Sequence, residues 1–259
     1  MTHPWFCATG TPRVLAHRGL VTPDAATLGI AENSFAAVAA AHAAGATYVE
    51  SDCHVTSDGV VVLFHDADLT RVTGDPRRLT EVSVAELEDL MADRGGLITL
   101  SQALETFPTL HFNFDVKAEG AAAPVGEIVA PHAARVLLTS FSDARRGAAL
   151  DAARAAGGSP ATSAGSRTIA RLLVAVALRS DRLVRRALAG VDALQVPERQ
   201  GGVRVVSPRF VEAAHRHDVE VHVWTVNDPD DMRRLIGVGV DGLVTDRADV
   251  ALEIAAERS

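Results

Sequence analysis

The chain has 259 residues, with 25 Lys and Arg against 33 Asp and Glu, giving a formal net charge of −8. The basic residues are scattered, which argues against a nucleic-acid or anionic-membrane surface and allows only a local cationic pocket. The two cysteines cannot build a disulfide framework. The longest apolar stretch, residues 172–178, is far below the roughly 18 residues of a membrane span, so no stable membrane insertion is expected.

The length suits one α/β barrel, and we expect a single domain over residues 1–259. Residues 1–12 lack a charged n-region and an apolar h-region, so no signal peptide is expected and a cytoplasmic location is predicted. The oligomeric state cannot be read from the sequence.

Strand and helix patterns alternate about eight times along the chain. The predicted strands are residues 14–17, 48–54, 111–117, 136–140, 161–163, 193–196, 220–226 and 243–246. Strands separated by helices pair in parallel through right-handed crossovers, and eight such units in this length predict a TIM-type (β/α)8 barrel. An open doubly wound sheet is the alternative.

Helix starts are marked by capping residues at four positions: Ser34, Ser83 with Glu86, Ser207 before Pro208, and Asp228 before Pro229. Residues 167–186 are predicted to form one long, arginine-rich helix, which is more typical of a solvated face than of a binding site.

The second predicted strand carries acidic side chains on one face. Glu50, Asp52 and His54 share that face because successive side chains in a strand alternate. Two carboxylates together suit a hard cation such as Mg²⁺ or Ca²⁺. Asp58-Gly59 predicts a hairpin turn, which would bring His65 back toward the carboxylates.

Other polar residues fall at the carboxyl ends of predicted strands, where parallel barrels place their functional groups. They are His17, Arg18, Asp115, Lys117, Trp224 and Asn227. Their convergence with Glu50 and Asp52 favours a functional site over isolated helix caps. Asp246 is equally compatible with a cap and with a functional role, and His54 is a possible supporting residue beyond the strand's end.

Six segments, in order, carry a family pattern. They are 16–19 (Ala-His-Arg-Gly), 32–34 (Glu-Asn-Ser), 50–73 with His65-Asp66 and Arg71, 112–117 (Phe-Asn-Phe-Asp-Val-Lys), 223–227 (Val-Trp-Thr-Val-Asn) and 242–246 (Gly-Leu-Val-Thr-Asp). With these segments the sequence resembles the glycerophosphodiester phosphodiesterases over most of its length.

This resemblance implies a TIM-type barrel with a divalent cation, Mg²⁺ or Ca²⁺, held at Glu50, Asp52 and Asp115. It also implies acid and base roles for His17 and His65. The same resemblance assigns phosphate contacts to Arg18 and Lys117, and a contact with the glycerol moiety to Trp224.

The sequence departs from the family at one predicted ligand, because Asp115 stands where a Glu is usual. The shorter side chain requires a bridging water, a shifted strand or a preference for the more permissive Ca²⁺. The insertion after the second strand, between Asp66 and Gly96, also looks short for the family. That length predicts an open site suited to small soluble diesters.

The resemblance therefore predicts metal-dependent hydrolysis of glycerophosphodiesters to sn-glycerol 3-phosphate and an alcohol. Low aromatic content and net negative charge predict faster cleavage of soluble diesters than of lysophospholipids. Two alternatives stay open: a phospholipase D-like or sphingomyelinase D-like enzyme acting on lysophospholipids, and a non-catalytic diester-binding barrel.

Overall fold

A ring of parallel strands forms the centre of the protein, which a computed structural model describes over residues 2–257. The strands are β1 (Arg13–His17), β2 (Tyr48–Val55), β3 (Val61–Leu63), β4 (His111–Val116), β5 (Val136–Thr139), β6 (Ala161–Thr162), β7 (Ala193–Pro197), β8 (Arg199–Gln200), β9 (Val203–Arg204), β10 (Glu220–Trp224) and β11 (Gly242–Thr245).

Eight of these strands pair in parallel in the order β6-β5-β4-β2-β1-β11-β10-β7. The first and last strands of this order, β6 and β7, approach each other where Ser163 makes a parallel bridge to Ala193. Beside it, the Ala164 N–H donates to the carbonyl of Ala193 at 3.0 Å. The ring is therefore nearly closed. This confirms the TIM-type barrel and excludes the open doubly wound sheet.

The helices pack outside this ring. They are α1 (Pro23–Thr27), α2 (Phe35–Ala43), α3 (Thr70–Thr73), α4 (Val84–Met91), α5 (Leu100–Thr106), α6 (Ala122–Val129), α7 (Asp143–Ala155), α8 (Ser166–Ala177), α9 (Asp181–Ala187), α10 (Pro208–His215), α11 (Pro229–Val238) and α12 (Ala248–Ala256). None of the helices in residues 2–257 is both long and apolar enough to cross a membrane.

The predicted caps are present. Ser34, Ser83, Ser207 and Asp228 each accept hydrogen bonds from main-chain N–H groups of the helix that follows. The single helix predicted over 167–186 is wrong, because the chain breaks between α8 and α9. Arg179 adopts a left-handed conformation at the break, with φ of 53°, which ends α8 as a glycine commonly does.

The insertion after β2 begins as an antiparallel hairpin. β3 pairs with β2 across the turn that contains Asp58-Gly59, in the register Cys53↔Leu63. The chain then forms α3 and α4 over a small apolar cluster of their own. This is the short insertion that the sequence predicts, and it returns His65 to the barrel mouth.

The opposite, amino-terminal end of the barrel is closed by apolar and paired side chains. Trp5, from a 3-10 turn at Pro4–Cys7, is fully buried and donates its Nε1–H to the Phe112 carbonyl at 3.0 Å. Arg13 and Glu220 form a two-point ion pair beside it, at 2.8 and 2.9 Å. This end is therefore packed for stability, and the cavity lies at the other end.

Candidate active site

A cavity of about 480 Å³ opens at the carboxyl ends of the barrel strands. Eight side chains that the sequence selects line it: His17, Arg18, Glu50, Asp52, His65, Asp115, Lys117 and Trp224. Asn227, which is also selected, contacts Asp246 instead. The eight come from β1, β2, β4, β10 and the residues directly after these strands, except His65, which follows β3 in the insertion. The sequence-selected residues are therefore neighbours in space, although they span more than 200 positions.

The three carboxylates come from two neighbouring strands. Glu50 and Asp52 lie two residues apart on β2, so both point into the barrel. Asp115 on β4 stands opposite Asp52 in the parallel register. All three are buried, and Asn113, opposite Glu50, completes this wall.

Positive groups surround Asp52. The Lys117 ammonium lies 2.9 Å from Asp52 Oδ1 and 2.6 Å from Asp115 Oδ2. Arg18 Nε stands 3.1 Å from Asp52 Oδ2, and Asn33 donates its side-chain N–H to the same oxygen at 3.0 Å. Lys117 and Arg18 thus reach the cavity already anchored by carboxylates.

The pKa values of the three carboxylates shift in different directions, because Lys117 and Arg18 do not contact all three equally. Burial and then the charge of Asp52 raise the pKa of Glu50 to about 8. Burial also raises the pKa of Asp115, against the opposing effect of Lys117. At Asp52 burial is outweighed by Lys117 and Arg18, which lower the pKa. Lys117 and Arg18 therefore do not neutralise all three carboxylates of the site.

The carboxylate oxygens of this wall are donors of the kind that a divalent cation binds. Glu50 Oε2 and Asp115 Oδ1 are buried without a hydrogen-bond partner, which is costly unless another positive group serves them. Carboxylate oxygens are the ligands that Mg²⁺ and Ca²⁺ prefer. Within residues 2–257, no group of three or more His, Cys, Asp and Glu side chains has the geometry of a metal site; Lys117 lies between Asp52 and Asp115 instead.

His17 is oriented by a carboxylate from the far end of the sequence. Its Nδ1 lies 2.6 Å from Asp246 Oδ1, and its Nε2 lies 3.9 Å from Glu50 Oε2. Asn227 donates to the other Asp246 oxygen at 2.7 Å. Burial lowers the pKa of His17, but the hydrogen bond to Asp246 and the charge of Glu50 more than offset this and raise it. The Asp246 side chain therefore contacts His17 and does not cap α12, whose N-cap residue is Arg247.

His65 has the same kind of support. Its Nδ1 lies 2.6 Å from Asp66 Oδ1, and its carbonyl stands 3.1 Å from His54 Nε2. His54 lies inside β2 and is buried, so the expectation that it falls beyond the strand's end is wrong. It holds the main chain of His65 in place.

A chain of ion pairs connects the second histidine to Arg18. Arg71 donates to Asp66 at 2.6 Å and to Glu32 at 2.6 Å, and Glu32 also accepts from Arg18 at 2.7 Å. Asp66, Glu32 and Arg71 fall within the segments that carry the family pattern, but no role could be assigned to them from sequence. Their contacts depend on the fold, since Glu32 lies 14 positions from Arg18 and 39 positions from Arg71.

The remainder of the cavity is mostly apolar. Trp224 and Phe141 meet edge to face, with ring centroids 5.7 Å apart, beside aliphatic residues of α8 and β7. One cavity thus joins a charged half, which suits a phosphate, to an apolar half.

Comparison with known proteins gives a consistent result. The model of the Glycerophosphoryl diester phosphodiesterase family matches residues 17–250. The chain is 33% identical over 256 residues to the probable glycerophosphodiester phosphodiesterase 2 of Mycobacterium tuberculosis, covering 98% of this chain and 94% of that protein.

Solved structures show the same fold. A glycerophosphodiester phosphodiesterase from Thermotoga maritima is similar with a TM-score of 0.71 and 25% identity, covering 93% of this chain and 97% of that one. A phosphodiesterase from Oleispira antarctica, solved with the product sn-glycerol-3-phosphate, has a TM-score of 0.70 and 22% identity, with coverages of 95% and 97%.

Proposed function

The chain belongs to the glycerophosphoryl diester phosphodiesterase family and is a phosphodiesterase, and we propose that it hydrolyses glycerophosphodiesters to sn-glycerol 3-phosphate and an alcohol with a divalent cation bound. One observation carries the proposal. Two carboxylate-anchored imidazoles face a buried carboxylate group with unpartnered oxygens in a single cavity.

The substrate class is supported by the comparisons. The relative from M. tuberculosis carries the name of a glycerophosphodiester phosphodiesterase, and the neighbour from O. antarctica was solved with sn-glycerol-3-phosphate. A small phosphodiester substrate also suits a cavity of about 480 Å³, which is within the usual range of ligand sites.

Charge neutralisation is the first requirement, because a phosphodiester is an anion that repels a nucleophile. Arg18 and Lys117 line the cavity and offer N–H donors to the phosphoryl oxygens. Glu50, Asp52 and Asp115 would hold the cation, Mg²⁺ or Ca²⁺. When bound, that cation supplies Lewis-acid stabilisation of the charge that develops on phosphorus-bound oxygen.

Proton transfer is the second requirement. As an ionised carboxylate can only accept hydrogen bonds, each histidine donates through Nδ1 and is left with Nε2 for the substrate. One imidazole takes the proton of the attacking hydroxyl, and the other gives a proton to the departing alkoxide. The nucleophile is either water or the substrate's own hydroxyl, which would pass through a cyclic phosphate before water opens it.

A substrate panel tests the proposal. Glycerophosphocholine, glycerophosphoethanolamine and glycerophosphoglycerol would each be incubated with Mg²⁺, Ca²⁺ or Mn²⁺, and the products identified by phosphorus NMR. We expect sn-glycerol 3-phosphate from each, and release that is slower by at least about 10²-fold from the His17→Ala variant prepared in parallel. Release of free glycerol with phosphocholine, or no hydrolysis with any cation, would refute the proposed activity.

We also propose a cytoplasmic location, with the product entering glycerol and lipid metabolism. The location is supported by the two free cysteines, of which Cys7 is exposed, since exposed free thiols are typical of reducing compartments. Cell fractionation with compartment markers would check it, and recovery outside the cytoplasm would contradict it.

A further inference from the structure

His65 is supported by two side chains of the insertion after β2. Its Nδ1 lies 2.6 Å from Asp66 Oδ1, and the Nε–H of Arg71 donates to the other oxygen, Asp66 Oδ2, at 2.6 Å. Among the described residues, 2–257, Asp66 is the only side chain that hydrogen-bonds the His65 ring, and Arg71 is the only other one that hydrogen-bonds the Asp66 carboxylate. The direction of the ring therefore depends on a carboxylate that Arg71 holds.

The other histidine of the cavity has the same three-part arrangement. His17 contacts Asp246, and Asn227 donates to the second oxygen of that carboxylate at 2.7 Å. The outer donor is an amide in the loop after β10 in this case, whereas Arg71 is a guanidinium on α3 of the insertion. Two distant parts of the chain thus give the two imidazoles the same support. This repetition favours a functional role for Arg71 over that of an incidental surface ion pair.

Arg71 also contacts Glu32, but the site depends less on that contact. The Arg71 guanidinium donates to Glu32 Oε1 at 2.6 Å, and Arg18 donates to the same oxygen at 2.7 Å. Arg18 has a second carboxylate partner, because its Nε lies 3.1 Å from Asp52 Oδ2. Loss of Arg71 would therefore leave Arg18 with both of its carboxylates, whereas Asp66 would lose a partner that no other side chain replaces.

The charge of Arg71 supports the same role. Burial raises the pKa of Asp66, but the hydrogen bonds from Arg71 and His65 outweigh burial and lower the pKa. An ionised carboxylate can only accept hydrogen bonds, so Asp66 keeps a ring proton of His65 on Nδ1. The other ring nitrogen, Nε2, is then available to the substrate in the cavity that His65 lines.

We infer that Arg71 is a positioning residue for catalysis, which fixes the Asp66 carboxylate and through it the His65 imidazole. This inference rests on the proposed phosphodiesterase activity and deepens it with a residue that lies outside the cavity lining. Misplacing a catalytic group by about 1 Å costs roughly 10²-fold in rate. Exposed ion pairs contribute little to stability, so a loss of turnover can be separated from a loss of folded protein.

A matched pair of arginines in the insertion provides the test. Arg71→Ala removes the support of Asp66, whereas Arg77→Ala removes a guanidinium that also contacts two carboxylates, those of Asp75 and Glu86, away from the cavity. The two arginine side chains are similarly exposed, at 51% and 42%. With glycerophosphoethanolamine we expect kcat to fall at least about tenfold in Arg71→Ala, with KM within a few-fold of the wild-type value. Arg77→Ala should leave both constants unchanged.

Two further variants separate positioning from a general loss of structure. Arg71→Lys keeps the charge but has a single ammonium where the guanidinium spans two carboxylates, so its kcat should lie between those of the wild type and Arg71→Ala. Adding Arg71→Ala to His65→Ala should lower kcat no further, because the group that Arg71 positions is already absent. The melting temperature of Arg71→Ala should fall by less than about 4 °C. An unchanged kcat in Arg71→Ala, or a tenfold loss that persists in the His65→Ala background, would overturn the inference and leave the proposed activity standing.

Long-range proton–nitrogen NMR spectra of the imidazoles distinguish this inference from the proposed function, because they need no turnover. The His65 signals are those missing from His65→Ala, and the spectra are taken at alkaline pH, where the ring is neutral. We expect the Nδ1–H tautomer to dominate in the wild type and in Arg77→Ala, and a mixture of tautomers in Arg71→Ala. Should the wild type cleave no diester, these spectra decide. A mixture in Arg71→Ala alone would support the inference and refute only the activity, and identical spectra in all three proteins would refute the inference as well.

Discussion

The two histidines make the sharpest prediction about the chemistry. His17→Ala and His65→Ala each remove an imidazole whose Nδ1 is held 2.6 Å from a carboxylate. A positioned general acid or base contributes roughly 10²- to 10⁴-fold to a rate. That range corresponds to about 2.7 to 5.4 kcal/mol of transition-state stabilisation. We therefore expect kcat to fall at least 10²-fold in each variant, within the range for such groups.

Substrate binding should change much less than turnover. Arg18 and Lys117 are held by carboxylates independently of either imidazole ring, so the phosphate keeps its contacts. KM should therefore remain within a few-fold of the wild-type value. His42→Ala is the matched control, because His42 is exposed on α2 and lies outside the cavity.

A change of leaving group distinguishes the histidine that acts as general acid from the one that acts as general base. Steady-state kinetics would compare glycerophosphoethanolamine with a p-nitrophenyl ester of glycerol phosphate, whose aryl oxide departs without a proton. The variant that lacks the general acid should recover most of its loss on the aryl ester, and the variant that lacks the base should not. Equal, small losses in both variants on both substrates would refute proton transfer by this pair.

Two further predictions concern the residues that hold the site and the fold. Asp246→Asn should lower kcat roughly 10²-fold, the usual cost of misplacing a catalytic group by about 1 Å; unchanged kcat would show that His17 needs no such support. At the closed end of the barrel, burial raises the pKa of Glu220, but the hydrogen bonds from Arg13 and His222 outweigh it and lower the pKa to about 2. Its stabilising effect is thus complete above the unfolded value of 4.5 and is lost as the pH falls toward 2. Glu220→Gln should lower the free energy of unfolding in urea by roughly 3 kcal/mol at pH 7 and by less near pH 2, and kcat should not change. A loss of stability that does not depend on pH would contradict the lowered pKa.

The barrel could be predicted from the sequence because its signals are local. All eight barrel strands lie within a few residues of the predicted bounds, because short runs rich in apolar residues mark most of them. The break between α8 and α9 has no such signal. Arg179 adopts the left-handed conformation without being a glycine, so a helical pattern continues across it.

The site could be predicted only in part, because only its local sequence patterns can be read without the fold. Glu50 and Asp52 could be placed together because a strand alternates its faces, and the rule for strand ends grouped Asp115 with them. The contact between His17 and Asp246 joins residues 229 positions apart, and only the closure of the barrel between β1 and β11 creates it.

Dependence on a divalent cation tests the account most directly. The protein would be stripped with a chelator, and Mg²⁺, Ca²⁺ or Mn²⁺ titrated back while the release of sn-glycerol 3-phosphate and the binding heat are followed together. Glu50→Gln, which keeps the shape of a ligand without its charge, would be compared with Glu212→Gln, a change at an exposed residue of α10. We predict that activity is lost on chelation and returns in step with binding, and that Glu50→Gln weakens both while Glu212→Gln behaves as wild type. Full activity in excess chelator, or equal cation affinity in the two variants, would contradict the central claim.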